Sequence, residues 1–220
     1  MIVEHSLTKP RYEDYFSKEA TNFVTFTPGF RDVFTCDRFL AIWKFIHIVD
    51  EENEDIDKSD KIYKVRYMLD DLLKKFQKYW NPKQYLSLDE GMIPAKNRCF
   101  IKQYIKIKQI KWGIKSFLLC ESESGYLMNA EIYTEKNEGF YSADLGSTGS
   151  VVVRLCSGFE LNKKKHIIVM DRFYTSTKLF EYMYREMEMH AVGTTIMNRK
   201  FFPDELKETK RHKKTMNRGD

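Results

Sequence analysis

Long apolar runs are missing from this 220-residue chain. None approaches the ~20 consecutive apolar residues that a membrane-crossing helix needs, so no membrane partner is expected. The residues after Met1 do not form the basic start, apolar stretch and small-residue cleavage site of a secretory leader. Cysteine is scarce and scattered: Cys36, Cys99, Cys120 and Cys156 form no CxxC pair and no cluster with histidine. That pattern excludes a zinc framework of ordinary spacing and a disulfide scaffold, and makes a reducing intracellular compartment the expectation. Internal repeats and low-complexity segments are absent as well. Charge of one sign is in small excess, +5, a weak pull towards polyanions. What the chain does have is apolar side chains at 42% and aromatic ones at 15%. Together with its length, these describe a folded chain with a sizeable core in one large or two small domains.

Three compositional zones follow one another. The first, to about Val49, is aromatic-rich and ends in a helical stretch from Thr35 to His47, with Thr35 as N-cap and Phe39, Trp43 and Ile46 at helical spacing. An acidic segment, Asp50 to Asp60, carries seven acids against Lys58 alone and reads as a solvated loop. The clearest helix comes next. Val65, Met68, Leu69, Leu72, Leu73, Phe76, Tyr79 and Trp80 make one apolar stripe, and Asn81-Pro82 stops it.

From Gln84 the period changes. Tyr85 to Asp89 is short and β-like with Gly91 as punctuation, and Ile114 to Cys120 and Tyr126 to Tyr133 are two further runs joined by a turn at Glu123-Ser124-Gly125. Ser150 to Cys156 reads as helix. His166 to Met170 is a buried strand ending at Asp171, Ser176 and Thr177 cap a helix containing Leu179, Phe180, Met183 and Met187, and Ala191 to Ile196 is a last strand. Three β runs followed by helix, strand, helix and strand give an α/β fold with a mixed sheet and flanking helices, an order that an RNase H-like fold fits.

Two features carry chemistry. Asp89 and Asp171 each lie at the end of a predicted buried strand, where open α/β sheets collect ligand-facing residues. Two carboxylates gathered there repel each other, and a hard cation such as Mg²⁺ would relieve the repulsion and assist phosphoryl chemistry. The plainer reading is that each aspartate starts a turn. The second feature is an acid-free basic stretch: Lys96, Arg98, Lys102, Lys106, Lys108, Lys111 and Lys115, interleaved with Phe100, Tyr104 and Trp112. Ile101, Ile105 and Ile107 alternate with Lys102, Lys106 and Lys108, as in a ribbon with one cationic face. Such a ribbon suits a nucleic-acid backbone, and equally a solvated edge strand whose lysines discourage pairing.

The wording of these segments resembles a known family. Leu88-Asp89-Glu90-Gly91-Met92, Lys96-Asn97-Arg98-Cys99, Tyr104-Ile105 and Lys111-Trp112-Gly113-Ile114-Lys115 resemble the run that carries the first catalytic aspartate of piggyBac transposases. Asp171-Arg172-Phe173-Tyr174-Thr175-Ser176 resembles the segment with the second, while Gly193-Thr194, Asn198-Arg199 and Phe202-Pro203 resemble the strand and loop beyond. Upstream, Asp37-Arg38-Phe39 and the helix ending at Trp80-Asn81-Pro82 resemble the family's helical dimerisation and DNA-binding region. The resemblance implies helical residues 1–82, an incomplete RNase H-like transposase core over 83–200 and a basic tail over 201–220. It implies metal-dependent cleavage and transfer of double-stranded DNA, with Asp89 and Asp171 as catalytic metal ligands for Mg²⁺. The basic residues Lys96 to Lys115, with Arg199 and Lys200, would line the DNA path. Transposon ends and TTAA targets as partners, a homodimer and a nuclear location are further implications.

The departures bear on activity. Arg172 stands where the family usually has Asn, neither Thr195 nor Ile196 supplies the expected basic residue, and Lys106 and Gln109 replace loop prolines. The family's third aspartate lies far downstream of the second, beyond an inserted domain, whereas 49 residues follow Asp171 here. Asp204, Glu205 and Glu208 are the local acids that would have to substitute, in a segment that soon becomes polar on every face from Lys207 to Lys214. Three readings stand: a transposase fragment inactive alone for want of the third aspartate; a domesticated, non-catalytic DNA-binding or oligomerising protein; and a nuclease completed by parts encoded elsewhere.

Overall fold

The computed structural model describes residues 12–16, 30–53, 56–96, 98–106, 108–134, 139–158, 161 and 165–207. Ile107, Glu208 and the tail beyond it, on which parts of the expected ribbon and basic tail fall, lie outside the described residues. The chain divides into two units at 56/57.

In the first unit aromatic packing replaces a regular scaffold. A 3-10 turn at Tyr12–Phe16 precedes α1 (Phe30–Val33) and α2 (Cys36–Lys44). Thr35 is the N-cap of α2, its hydroxyl accepting from Arg38 N–H at 3.2 Å as the sequence predicts. Phe39 and Trp43, one helical turn apart, stack at 6.0 Å, and Phe16 meets Phe39 at 5.3 Å.

The second unit holds α3 (Tyr63–Tyr79), β1 (Tyr85–Pro94), β2 (Lys102–Tyr104), β3 (Trp112–Glu121), β4 (Leu127–Ile132), α4 (Gly146–Ser157), β5 (Ile167–Met170), α5 (Thr177–Glu186) and β6 (His190–Gly193). The acidic segment leads into it through turns rather than as plain loop: Asp57 and Asp60 accept from the N–H groups of Ser59 and Ile62, and Asp60 takes a two-pronged bond from Arg66 at 2.7 and 3.0 Å. Strand order is β2-β3-β1-β5-β6, with β4 also paired to β3. β1, β3 and β4 form an antiparallel meander, with the short β2 also paired antiparallel to β3; β1, β5 and β6 run parallel, as crossovers through α4 and α5 require. This is the expected mixed α/β sheet with flanking helices.

Alternation along the strands sorts the two faces. Leu86, Leu88, Leu119, Ile168 and Met170 are buried with Val152 and Leu155 of α4 and Leu179 and Met183 of α5. Each such side chain contributes roughly 1.5–3 kcal/mol. Val169 and Val192, paired in register on the opposite face, are 44% and 54% exposed. One sheet face is therefore covered by helices, and the other is open where β5 and β6 pair. The stripe on α3 is only half covered: Tyr126, just before β4, stacks on Trp80 at 4.5 Å, and its hydroxyl donates to the Phe76 carbonyl at 3.3 Å.

Two boundaries differ from expectation. β1 does not stop at Gly91 but runs on to Pro94. Glycine is required there by close approach, because a Cβ would lie 2.7 Å from Leu118 Cδ1, and not by a turn. The last strand ends at Gly193, short of Ile196.

The meander's far end is held by a buried charge. Glu121, 1% exposed, accepts from Lys83 N–H at 2.7 Å and from the Ser124 hydroxyl in the turn completed by Gly125 at φ +71°. The Ser124 hydroxyl first, and the Lys83 N–H second, hold its carboxyl below the usual range. A depressed folded-state value gives stability that is present above the unfolded pKa and lost as pH falls through the folded one. Glu121→Gln is expected to lower the melting temperature at neutral pH, with the gap to wild type closing in acid; thermal melts over an acid-to-neutral series check this.

Candidate active site and nucleic-acid interface

The parallel ladder between β1 and β5 ends at the pair Leu88↔Met170, and the next residue on each strand is an aspartate. Neighbouring strands lie ~4.8 Å apart, so Asp89 and Asp171 emerge side by side at one end of the ladder. Alternation places Asp89 on the side of Ser87 and Asp171 on the side of Val169, both away from the helices. Both aspartates are exposed. Asp89 Oδ1 accepts from Glu90 N–H and Asp171 Oδ1 from Phe173 N–H, each at 2.8 Å. The remaining oxygen of each carboxylate has no donor among the described residues. Thus Asp171 does start a turn, by the plainer reading, and still presents an oxygen outward.

Glu90 points the other way, towards the helices, and the sequence reading gave it no role. Its Oε2 accepts from the hydroxyl of Tyr174, 1% exposed, at 3.2 Å. Burial first, then the Glu90 charge and hydrogen bond, then Asp89 and Asp171, push that phenol well above its usual range, so it stays a donor. All three carboxylates therefore act on one hydroxyl. The available signal was alternation: a charged residue directly after Asp89 in a strand must face the core and needs a partner.

The turn after Asp171 is fastened from several sides. The Asp171 carbonyl accepts from Tyr174 N–H, Thr175 N–H and the Thr175 hydroxyl, the last at 2.8 Å. Arg199 donates to the carbonyls of Arg172 and Phe173 at 2.7 and 2.6 Å. Gly193 lies so close that a Cβ would sit 2.4 Å from both the Met170 carbonyl oxygen and Thr175 Oγ1, so the strand beside Asp171 admits no side chain.

The nine basic residues separate into two sets. Lys108 donates to the Glu90 carbonyl at 3.1 Å and lies 4.0 Å from its carboxylate, clipping the β2–β3 loop to the aspartate-bearing strand. Lys115 sits over the rings of Phe117 and Phe173, each at 4.9 Å; Lys102 sits over Trp112 at 5.5 Å and Lys200 over Phe201 at 4.9 Å. Arg199 is the clasp already described. Lys96, Arg98, Lys106 and Lys111 are exposed, and among the described residues their side chains have no partner. The ribbon itself is short: only Lys102–Tyr104 pairs with β3, as a strand on the outer edge.

The two aspartates offer hard oxygen donors on a shared, solvent-facing side, which suits a divalent cation completed by water and substrate phosphate. Among the described residues no three His, Cys, Asp or Glu side chains gather in a way that would hold a metal ion. Asp204 and Glu205 lie in a 3-10 turn with no buried residue, where Asp204 pairs with Lys207.

The family model described as Transposase IS4 matches residues 1–219. The PiggyBac transposable element-derived protein 3 of Homo sapiens is 30% identical over 159 residues, which are 72% of this chain and 26% of that protein. The PiggyBac transposable element-derived protein 2 of Homo sapiens is 30% identical over 170 residues, 74% of this chain and 27% of that one. The chain thus spans about a quarter of these relatives' length. Among solved structures, a piggyBac transposase synaptic complex with hairpin DNA superposes with a TM-score of 0.75 at 22% identity, over 91% of this chain and 41% of that one.

The division of the cations is open to a stability test. Lys108→Met and Arg199→Met are each expected to cost about 1–2 kcal/mol, the loss of charge-assisted bonds to carbonyls. Lys106→Met and Lys111→Met should stay within about 0.5 kcal/mol of wild type. Urea unfolding of the four variants separates the sets.

Proposed function

Because this chain belongs to the Transposase IS4 family, as a piggyBac-like member, we propose that it binds duplex DNA beside a two-aspartate metal site and cuts no DNA by itself. The observation that carries the reading is the pairing of Asp89 with Asp171 at the end of one parallel ladder, next to the basic loop that Lys108 ties to Glu90. The solved relative is named as a complex with hairpin DNA, which supports a DNA partner here. Mg²⁺ is the cation that fits the donor set, because it is commonly held by one or two carboxylates plus substrate phosphates. When bound, it would sharpen an oxygen nucleophile and stabilise charge on a phosphoryl group.

The chain's own residues supply the frame. Glu90, Tyr174 and Arg199 hold the two aspartate-bearing segments, while Lys96, Arg98, Lys106 and Lys111 offer charge to phosphates. The inactivity rests on the third aspartate that the resemblance implies, since a site with two of three carboxylates loses charge and geometry at its second metal. TTAA targets, a homodimer and a nuclear location belong to the same proposal through the family. The alternative is a non-catalytic DNA-binding or oligomerising protein derived from such a transposase. Its supporting observation is that, among the described residues, four basic side chains have no partner while two carboxylates stand together at the end of the ladder.

Fluorescence anisotropy of a labelled duplex across a salt series tests the binding. The logarithm of affinity should fall linearly with the logarithm of salt, and Ala at Lys96, Arg98, Lys106 or Lys111 should each reduce the slope by about one. A response flat to salt would sink the proposal. Magnesium-dependent nicking of a transposon-end duplex that disappears in Asp89→Asn would overturn the claim that these residues alone do not cut.

A further inference from the structure

A cavity of about 180 Å³ opens beside the Asp171 turn, on the helix-covered side of the sheet. Its walls are the rings of Phe117, Tyr133 and Phe173, with Lys115 among them and Thr134, Ser147 and Thr148 also in the lining. Phe117 and Tyr133 meet edge to face at 6.2 Å and 88°. The Lys115 ammonium lies 4.9, 5.8 and 4.9 Å from the ring centres of Phe117, Tyr133 and Phe173, so cation–π attraction fixes where its donors sit. Arg154 and Glu131 also line it, locked in a fork at 2.8 and 2.6 Å that cancels their charges. What the cavity offers is flat aromatic surface, one oriented cationic donor and a few hydroxyls.

We propose that this cavity receives a single unpaired nucleobase of the bound DNA, stacked on Phe173 with a base carbonyl on Lys115. The proposal deepens the DNA-binding reading and rests on it. Three observations select a base over other ligands. The volume is well below the ~300 Å³ at which ordinary small-molecule pockets begin, which leaves room for one flat ring system rather than a whole nucleotide. With Arg154 and Glu131 already paired to each other, Lys115 is the one unbalanced charge in the lining, and a single ammonium among rings suits a neutral base carbonyl better than a phosphate dianion. Position is the third: Phe173 is two residues past Asp171 and packs edge to face on Tyr174 at 5.1 Å, and Tyr174 reaches Glu90 next to Asp89. Register also sets Phe117 opposite Glu90. The cavity therefore lies past the same end of the β1–β5 ladder as the aspartates but on the opposite, helix-covered face, and a base swung round the Asp171 turn from a phosphate held at the aspartates would reach it. Enzymes that reach into duplexes commonly extrude a nucleotide into such a pocket, and aromatic side chains hold bases without regard to sequence.

Phe173 is 44% exposed, so trimming it removes a stacking surface without emptying the core. Two duplexes serve as probes, one fully paired and one carrying a single unpaired 5-iododeoxyuridine, both measured by anisotropy with wild type, Phe173→Ala and Phe173→Trp. The expected result is that Phe173→Ala weakens binding of the unpaired-base duplex about tenfold, leaves the paired duplex unchanged, and is rescued by Phe173→Trp. Photocrosslinks from the iodinated base should map to Phe173 or Tyr133. Equal effects on both duplexes, or crosslinks elsewhere while binding persists, overturn the pocket and leave the DNA-binding reading standing. No binding of either duplex by the wild-type chain overturns both.

Discussion

The site depends on one register. β1 and β5 run parallel with Leu86 opposite Ile168 and Leu88 opposite Met170, all four buried against α4 and α5. A shift by one residue would turn this apolar set out to solvent and both aspartates inwards, at a cost of several buried side chains together with two desolvated charges. Packing on one face thus dictates the chemistry on the other. Asp89 and Asp171, 82 residues apart in the chain, are neighbours because leucine, isoleucine and methionine are, and the carboxylates contribute nothing to bringing themselves together.

The same constraint explains why a strip of lysines is not one functional unit. In sequence Lys96 to Lys115 reads as one cationic ribbon with a repeated charge, yet its members arrive at different distances from the strand that carries Asp89. Lys108 reaches back to Glu90 because the loop between β2 and β3 closes over β1, and Lys115 falls among rings because it shares a face with Phe117. The four exposed cations project where no acid among the described residues balances them. Unpaired surface charge and loop anchoring use the same residue type, and spacing alone does not separate them.

Much of the fold was legible because its signals were local. Thr35 and Ser176 cap the predicted helices with the predicted bonds, and the β3–β4 turn falls at Glu123-Ser124-Gly125. The order of elements was enough to indicate a mixed sheet, whereas Asp89, read as the end of a strand, lies within β1, which runs on to Pro94; what ends beside it is the parallel ladder with β5. What was missed depends on pairing between distant segments. Gly91 looks like punctuation until Leu118 is seen against it, and Gly193 until the Met170 carbonyl is. Glu90 looks like a second exposed acid until Tyr174 arrives from 84 residues away. The half-covered stripe on α3 shows the converse limit: a strong apolar period marks a helix without stating how much of it will be buried.

Electrostatics then decides what the site needs. Three carboxylates converge near the Tyr174 hydroxyl, but they are not equivalent. Glu90 has a phenol donor and the Lys108 ammonium, so its charge is offset from inside the protein. Asp89 and Asp171 each receive one backbone N–H and nothing more from the described residues, and each keeps one oxygen outward. These two like charges on neighbouring segments are left without an offset from the described residues. The internal offset of Glu90 leaves the unbalanced charge on the two groups that face outward. The fold therefore keeps its two unoffset carboxylates on the side open to solvent.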